Sequence, residues 1–201
     1  MIVVGLDVRT YRTAINAPGD ECRYYAADFE ELSHAVQQRL KLDEYHLPVL
    51  AGYSSGATLA YAVMVQSPPG TWAGVLSLGF CPDLDLVRKP CRGSGLEYTM
   101  QGTEAKPKGL VYRTAPSNRT RWVVMQGEVD KVCDPAATRE FVAATGHGEF
   151  VSLPKVGHGF GVERNWLPQF HQVHLALAAV AVRPPPPPPQ LQDLPLIQVP
   201  P

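Results

Sequence analysis

Pro48-Val49-Leu50-Ala51-Gly52-Tyr53-Ser54-Ser55-Gly56-Ala57-Thr58-Leu59 is the stretch on which the fold turns. Its first four residues form a short apolar run that reads as a strand. Ala57 to Val65 reads as an Ala-rich helix, stopped by Ser67-Pro68-Pro69-Gly70. Between them the chain must reverse from strand to helix within a couple of residues. Gly52 and Gly56 supply small neighbours for that reversal, which leaves Ser54 standing above the sheet edge on a strained elbow. A serine hydroxyl is a poor nucleophile until a base takes its proton and a third group orients the base. The elbow also aims the helix N-terminus, with the backbone N–H of Ser55, at a developing oxyanion. The same pattern fits a Gly-bounded βα turn whose serine only caps the helix, so the reading depends on partners elsewhere.

Working outward, strands and helices alternate. Ile2–Leu6 is a β-branched apolar run ending at Asp7 and is expected to be a strand, followed by a loop through Pro18-Gly19-Asp20. Tyr24 to Leu40 has helical spacing, with Phe29, Leu32, Val36 and Leu40 at intervals of three and four. Gly74–Gly79, Trp122–Gly127 and Phe150–Pro154 read as further strands. Pro135–Thr145, with Asp134 as N-cap, and Trp166–Val182 read as helices. Pro82 to Asn118 is weakly patterned and is expected to be a loop or cap. This alternation predicts an α/β fold: a mostly parallel sheet covered on both faces, with every strand's C-terminal end on one edge.

The partners Ser54 needs follow strands in the order Ser, Asp, His. Asp130 follows the Val123–Gly127 strand in Gly127-Glu128-Val129-Asp130, with Glu128 and Asp134 as local competitors. His158, in Val156-Gly157-His158-Gly159-Phe160, follows the Phe150–Leu153 strand, and its flanking glycines let the ring swing over a neighbouring strand end. His147, between Gly146 and Gly148, reads as a surface turn residue. His34, His46, His171 and His174 read as helix or loop positions.

Composition excludes more than it identifies. A net charge of −1 gives no reason to expect nucleic acid or an anionic membrane as partner. No apolar run approaches the roughly 20 residues of a membrane span, and Met1–Asp7 lacks the features of a signal peptide. No phosphate loop, dinucleotide fingerprint or metal-ligand spacing is present, so no cofactor is expected. Cys22, Cys81, Cys91 and Cys133 are an even set. Cys81 and Cys91 bracket a short loop suited to a local disulfide, the alternative being buried free thiols. The six prolines from Pro184 are expected to form a polyproline II spacer, and Asp193–Val199 after them looks like the start of another strand.

The run from Pro48 to Leu59 resembles the VirJ/AcvB family of bacterial virulence factors, in the α/β-hydrolase superfamily. So do Ser77-Leu78-Gly79-Phe80-Cys81-Pro82-Asp83-Leu84 and Leu153-Pro154-Lys155-Val156-Gly157-His158-Gly159-Phe160. The likeness covers roughly Val3 to Phe170, and more specifically the chain looks like the N-terminal of the two hydrolase-like domains in the longer, AcvB-type members. It implies an α/β-hydrolase three-layer sandwich over residues 1–183, with 184–201 a linker and the start of a following domain. It also implies a periplasmic protein linked to type IV secretion, acting on a small or lipid-derived ester through Ser54, His158 and Asp130. Lysyl-phosphatidylglycerol hydrolases belong to this family. In that fold the Ile2–Leu6 strand is preceded by another strand and by a loop that supplies a second oxyanion donor. The expectation is therefore an N-terminally truncated hydrolase domain. The competing expectations are a non-catalytic module for secretion-system or following-domain contacts, and a remnant.

Overall fold

The computed structural model describes residues 2–17, 21–84, 88–103 and 106–179. The expected turn at Pro18-Gly19-Asp20, the polyproline run and the Asp193–Val199 strand lie outside the described residues.

The elements in chain order are α1 (Val8–Asn16), α2 (Tyr25–Arg39), β1 (Val49–Tyr53), α3 (Ser55–Gln66), β2 (Gly74–Leu78), β3 (Asp83–Leu84), β4 (Tyr98–Thr103), β5 (Lys106–Tyr112), β6 (Trp122–Gly127), α4 (Pro135–Ala144), β7 (Gly148–Leu153) and α5 (Leu167–Ala178). Four strands form a parallel sheet in the order β1-β2-β6-β7. All four C-terminal ends, Tyr53, Leu78, Gly127 and Leu153, therefore lie on one edge.

The two central strands are buried along their whole length, as a sheet covered on both faces requires. Alternate residues feed separate cores. Val75, Trp122 and Val124 pack with α3 and with Val142 of α4, while Leu76, Leu78, Val123 and Met125 pack with Leu177 of α5. Helix α3 is buried from Ala57 to Gln66, which is why its sequence is apolar around its whole circumference rather than on one stripe. Helix α2 lies outside it, with Tyr25 and Ala26 buried. The result is three layers, as the alternation of elements predicts.

Three expectations are corrected. Ile2–Leu6 is not a strand: Ile2, Val3 and Val4 are 56, 77 and 51% exposed. A strand needs a neighbour, and among the described residues none pairs with this run. Its terminal Asp7 instead caps α1, accepting from the N–H groups of Arg9 and Thr10. The second correction is at Pro82–Asn118, which is not a plain loop but holds an antiparallel sheet in the order β3-β5-β4. The third is the disulfide. Cys22 is bonded to Cys91, and Cys81 to Cys133, so the Cys81–Cys91 pairing does not occur. A β-bridge between Arg23 and Pro90 brings Cys22 to Cys91, leaving Cys81 at the end of β2 to meet the loop after β6.

Candidate active site

Ser54 sits between β1 and α3 with φ 54° and ψ −123°. Left-handed backbone is costly for a residue with a side chain, of order 1–3 kcal/mol, and persists where the surroundings over-determine it. Here the Ser54 N–H donates to the Leu78 carbonyl (2.9 Å), while its own carbonyl accepts from Ala57 N–H (2.8 Å) and Thr58 N–H (3.2 Å). The two glycines are not equivalent. A Cβ on Gly52 would stand 2.2 Å from the Gly56 carbonyl oxygen, whereas one on Gly56 would meet nothing within 4 Å. The close approach thus requires glycine at 52 only. Ser55 is the first residue of α3, where helix geometry leaves the backbone N–H without an intrahelical acceptor.

The structure brings the three side chains picked from the sequence into one hydrogen-bonded line. His158 Nε2 lies 2.9 Å from Ser54 Oγ, and His158 Nδ1 lies 2.9 Å from Asp130 Oδ2. Asp130 is 5% exposed, and the side chain is fully enclosed. Its Oδ1 accepts from the N–H groups of Val132 (2.8 Å) and Cys133 (2.9 Å). Its Oδ2 accepts from Gln126 Nε2 (3.0 Å) and faces the imidazole. A carboxylate held this way can only accept, so the facing Nδ1 carries the proton and Nε2 is left to accept from Ser54.

The competing residues are committed elsewhere. Glu128 accepts from Ser152 Oγ (2.9 Å), Asp134 caps α4, and His147 precedes β7, at the opposite end of the sheet from its C-terminal edge. Glycines do shape the histidine loop, but not the two that flank His158. A Cβ on Gly157 would meet only the Val129 carbonyl oxygen, at 3.8 Å, and one on Gly159 nothing within 4 Å. The tight position is Gly127, where a Cβ would stand 2.2 Å from the Val156 carbonyl oxygen, while Gly79 is called for by its backbone angle. Gly79 has φ +61°, and a Cβ there would touch the His158 ring at 3.4 Å. Lys155 and Phe160, on either side of His158, also hold positive φ.

Residues not singled out from sequence complete the site. Gln126 is fully buried: besides Asp130 it donates to the Cys133 carbonyl (2.9 Å) and accepts from Phe80 N–H (3.0 Å). A glutamine ending the apolar run Trp122-Val123-Val124-Met125 was the available signal. Tyr53 donates from its hydroxyl to the His158 carbonyl (2.9 Å), tying the elbow strand to the histidine loop. The Cys81–Cys133 disulfide sits behind the acid. Cys133 Sγ lies within 4.8 Å of the ligand atoms of Asp130 and His158, but the bridge consumes it, so the three do not make a metal set.

Solved structures similar to this chain include hydrolases. Puromycin hydrolase, as an S511A mutant, matches with a TM-score of 0.56 and 18% identity over 85% of this chain. This chain has the α/β-hydrolase fold. It covers only 27% of that protein's length. The esterase domain of a Rhodothermus marinus protein matches at a TM-score of 0.49 and 17% identity, over 75% of this chain and 68% of the other. Thermogutta terrifontis esterase 2 matches at 0.47 and 18% identity, over 83% and 69% respectively. No family model and no curated protein matches the sequence. At these identities the likeness is one of α/β-hydrolase architecture.

Proposed function

We propose that this chain is a serine hydrolase that cleaves a carboxylic ester by acyl transfer. One observation carries the reading: Ser54 Oγ, the His158 ring and Asp130 Oδ2 stand in series at 2.9 Å spacings on the C-terminal edge of a parallel sheet. His158 Nε2 takes the Ser54 proton as Oγ bonds to the ester carbonyl carbon, and the carbonyl electron pair moves onto oxygen facing the Ser55 N–H. The C–O bond to the alcohol then breaks, and the alcohol leaves with the proton from His158. Water repeats the sequence on the acyl-enzyme and frees Ser54 and the acid. Asp130 stays ionised throughout, holding the imidazole and offsetting its transient positive charge.

The sequence resemblance to the VirJ/AcvB family extends this proposal to a periplasmic protein associated with type IV secretion, with an aminoacylated phospholipid as one candidate ester. Two disulfides within the described residues support an oxidising compartment. A fluorophosphonate probe tests the chemistry. Covalent labelling of the folded protein that disappears in Ser54→Ala is expected, and equal labelling of both proteins would remove Ser54 as nucleophile.

A further inference from the structure

Cys133 places a third metal-binding donor at the acid end of the triad. The ligand atoms of Asp130, Cys133 and His158 all lie within 4.8 Å of one another, and the bond to Cys81 is what keeps the sulfur from donating. We propose that reduction of the Cys81–Cys133 bridge turns these three side chains into a zinc site that shuts Ser54 off. The effect on activity rests on the acyl-transfer reading above; the metal site and its redox control go beyond it.

Exposure sets the order of events. Cys81 is half-buried and Cys133 is buried, so a reductant reaches the Cys81 sulfur. A dithiol attacks Cys81 Sγ as its thiolate, the S–S bond breaks, and Cys133 leaves with the electron pair. The second thiolate of the dithiol then closes on its partner sulfur in the mixed disulfide and releases Cys81. The protein has gained two electrons, the dithiol has become a cyclic disulfide, and Cys133 is a free thiol beside Asp130 and His158.

The donor set suits zinc. A thiolate and a carboxylate cancel the charge of the dication where Asp130 and Cys133 are buried, His158 Nδ1 is the third donor, and water completes a tetrahedron. Tetrahedral zinc holds its donors about 3.3–3.8 Å apart. His158 Nδ1 and Asp130 Oδ2, at 2.9 Å, must therefore separate slightly, and the sulfur must approach by up to about 1 Å. Asp130 and Cys133 share one loop, and breaking the bond to Cys81 gives that loop the freedom to adjust. The N–H groups of Val132 and Cys133 meanwhile keep hold of Asp130 Oδ1, leaving Oδ2 for the metal.

The same bonds explain the loss of activity. Zinc on Nδ1 moves the imidazole proton to Nε2, which lies 2.9 Å from Ser54 Oγ and can then no longer accept from it. Cys133 gives its own proton to solvent as it binds. A disulfide oxidant that takes two electrons from Cys81 and Cys133 reforms the bridge, expels the metal and restores the base.

The test is a cobalt titration, because Co²⁺ takes zinc sites and reports a bound thiolate by a charge-transfer absorption band. Cys81→Ala frees Cys133 without a reductant and leaves Cys22–Cys91 intact, so it should bind Co²⁺ with that band while the oxidised wild type shows none. Cys22→Ala/Cys91→Ala, which keeps only the Cys81–Cys133 bridge, should gain the band on reduction and lose it on reoxidation. Adding His158→Ala to Cys81→Ala should weaken Co²⁺ binding by at least about 100-fold. Zn²⁺ should displace the cobalt and lower hydrolysis of 4-nitrophenyl acetate by Cys81→Ala at least about tenfold, reversibly with EDTA, while the oxidised wild type keeps its rate. A folded Cys81→Ala with no band, or binding that survives His158→Ala, would overturn the proposal. Loss of the native circular dichroism in both freed proteins would overturn it too, since the bridge would then be needed to hold the three ligands together. The band in a protein whose oxidised wild type hydrolyses no ester would keep the metal site and sink the acyl-transfer reading. Hydrolysis by Cys81→Ala that Zn²⁺ leaves unchanged would sink the proposal alone.

Discussion

Gln126 and His158 donate to the same oxygen. Asp130 Oδ2 accepts from Gln126 Nε2 at 3.0 Å and faces His158 Nδ1 at 2.9 Å, while the other carboxylate oxygen is held by two backbone N–H groups. Gln126 also reaches the Phe80 N–H and the Cys133 carbonyl, so one amide joins the ends of β2 and β6 to the acid. Gln126→Leu would leave those buried groups without partners, at about 1–3 kcal/mol for each. It would also let the Asp130 loop drift, and a misplacement of about 1 Å can cost roughly 10²-fold in rate. Urea denaturation and ester kinetics on the same sample check this. Lower stability with an unchanged kcat would make Gln126 a purely structural residue.

Asp130→Asn tests the proton assignment. The Val132 and Cys133 N–H groups require an acceptor, so they would bind the amide oxygen and turn the NH₂ toward Gln126 Nε2 and His158 Nδ1. A donor facing Nδ1 forces the proton onto Nε2, which can then no longer accept from Ser54. The expected loss in kcat is about 10⁴-fold in a folded protein. Circular dichroism and esterase assays measure both halves, and a loss below about tenfold would contradict the assignment.

The elbow glycines give a contrasting pair. Gly52→Ala puts a methyl 2.2 Å from the Gly56 carbonyl oxygen, a backbone contact that no side-chain rotation relieves. Gly56→Ala enters open space inside α3, where alanine is preferred to glycine by about 0.5–1 kcal/mol. Thermal denaturation should therefore show Gly52→Ala strongly destabilised or insoluble and Gly56→Ala unchanged or slightly stabilised. Equal effects would mean that the packing at the elbow differs from that described.

What could be read from the sequence divides along a physical line. The elbow, the parallel strands and the order of Ser54, Asp130 and His158 rest on local patterns: apolar runs, helix stops and the position of a residue after a strand. Helix α1 escaped because Val8–Asn16 is only nine residues long and largely polar, so the helical spacing of Val8, Tyr11 and Ile15 spans barely two turns. The antiparallel β3-β5-β4 sheet pairs Gly- and Pro-containing segments whose register is irregular at Gln101/Gly102, which no local pattern announces. Ile2–Leu6 has strand composition, but strand formation depends on a neighbour that composition cannot supply. The disulfides failed for the same reason, since their partners lie 69 and 52 residues apart. Gln126 and Tyr53 matter through contacts with distant loops, and each looks ordinary in its own strand.

The two disulfides should separate stability from activity. Cys22–Cys91 anchors the start of α2 to the segment after β3, beside Gln66, which donates to the Arg23 and Cys91 carbonyls and accepts from Ala26 N–H. Cys81–Cys133 instead links a residue whose carbonyl accepts from Thr58 Oγ1 on α3 to one whose N–H holds Asp130. Each bridge closes a long loop and is worth about 2–5 kcal/mol, so removing either should lower Tm by roughly 5–15 °C. Only the second loss frees the segment that fixes the acid. Cys22→Ala/Cys91→Ala should thus lower Tm with kcat near wild type at temperatures where the protein stays folded. Cys81→Ala/Cys133→Ala should lower kcat by roughly tenfold or more under the same conditions. Differential scanning calorimetry paired with initial rates distinguishes the two, and identical kcat in both double variants would show that Asp130 is held without the bridge.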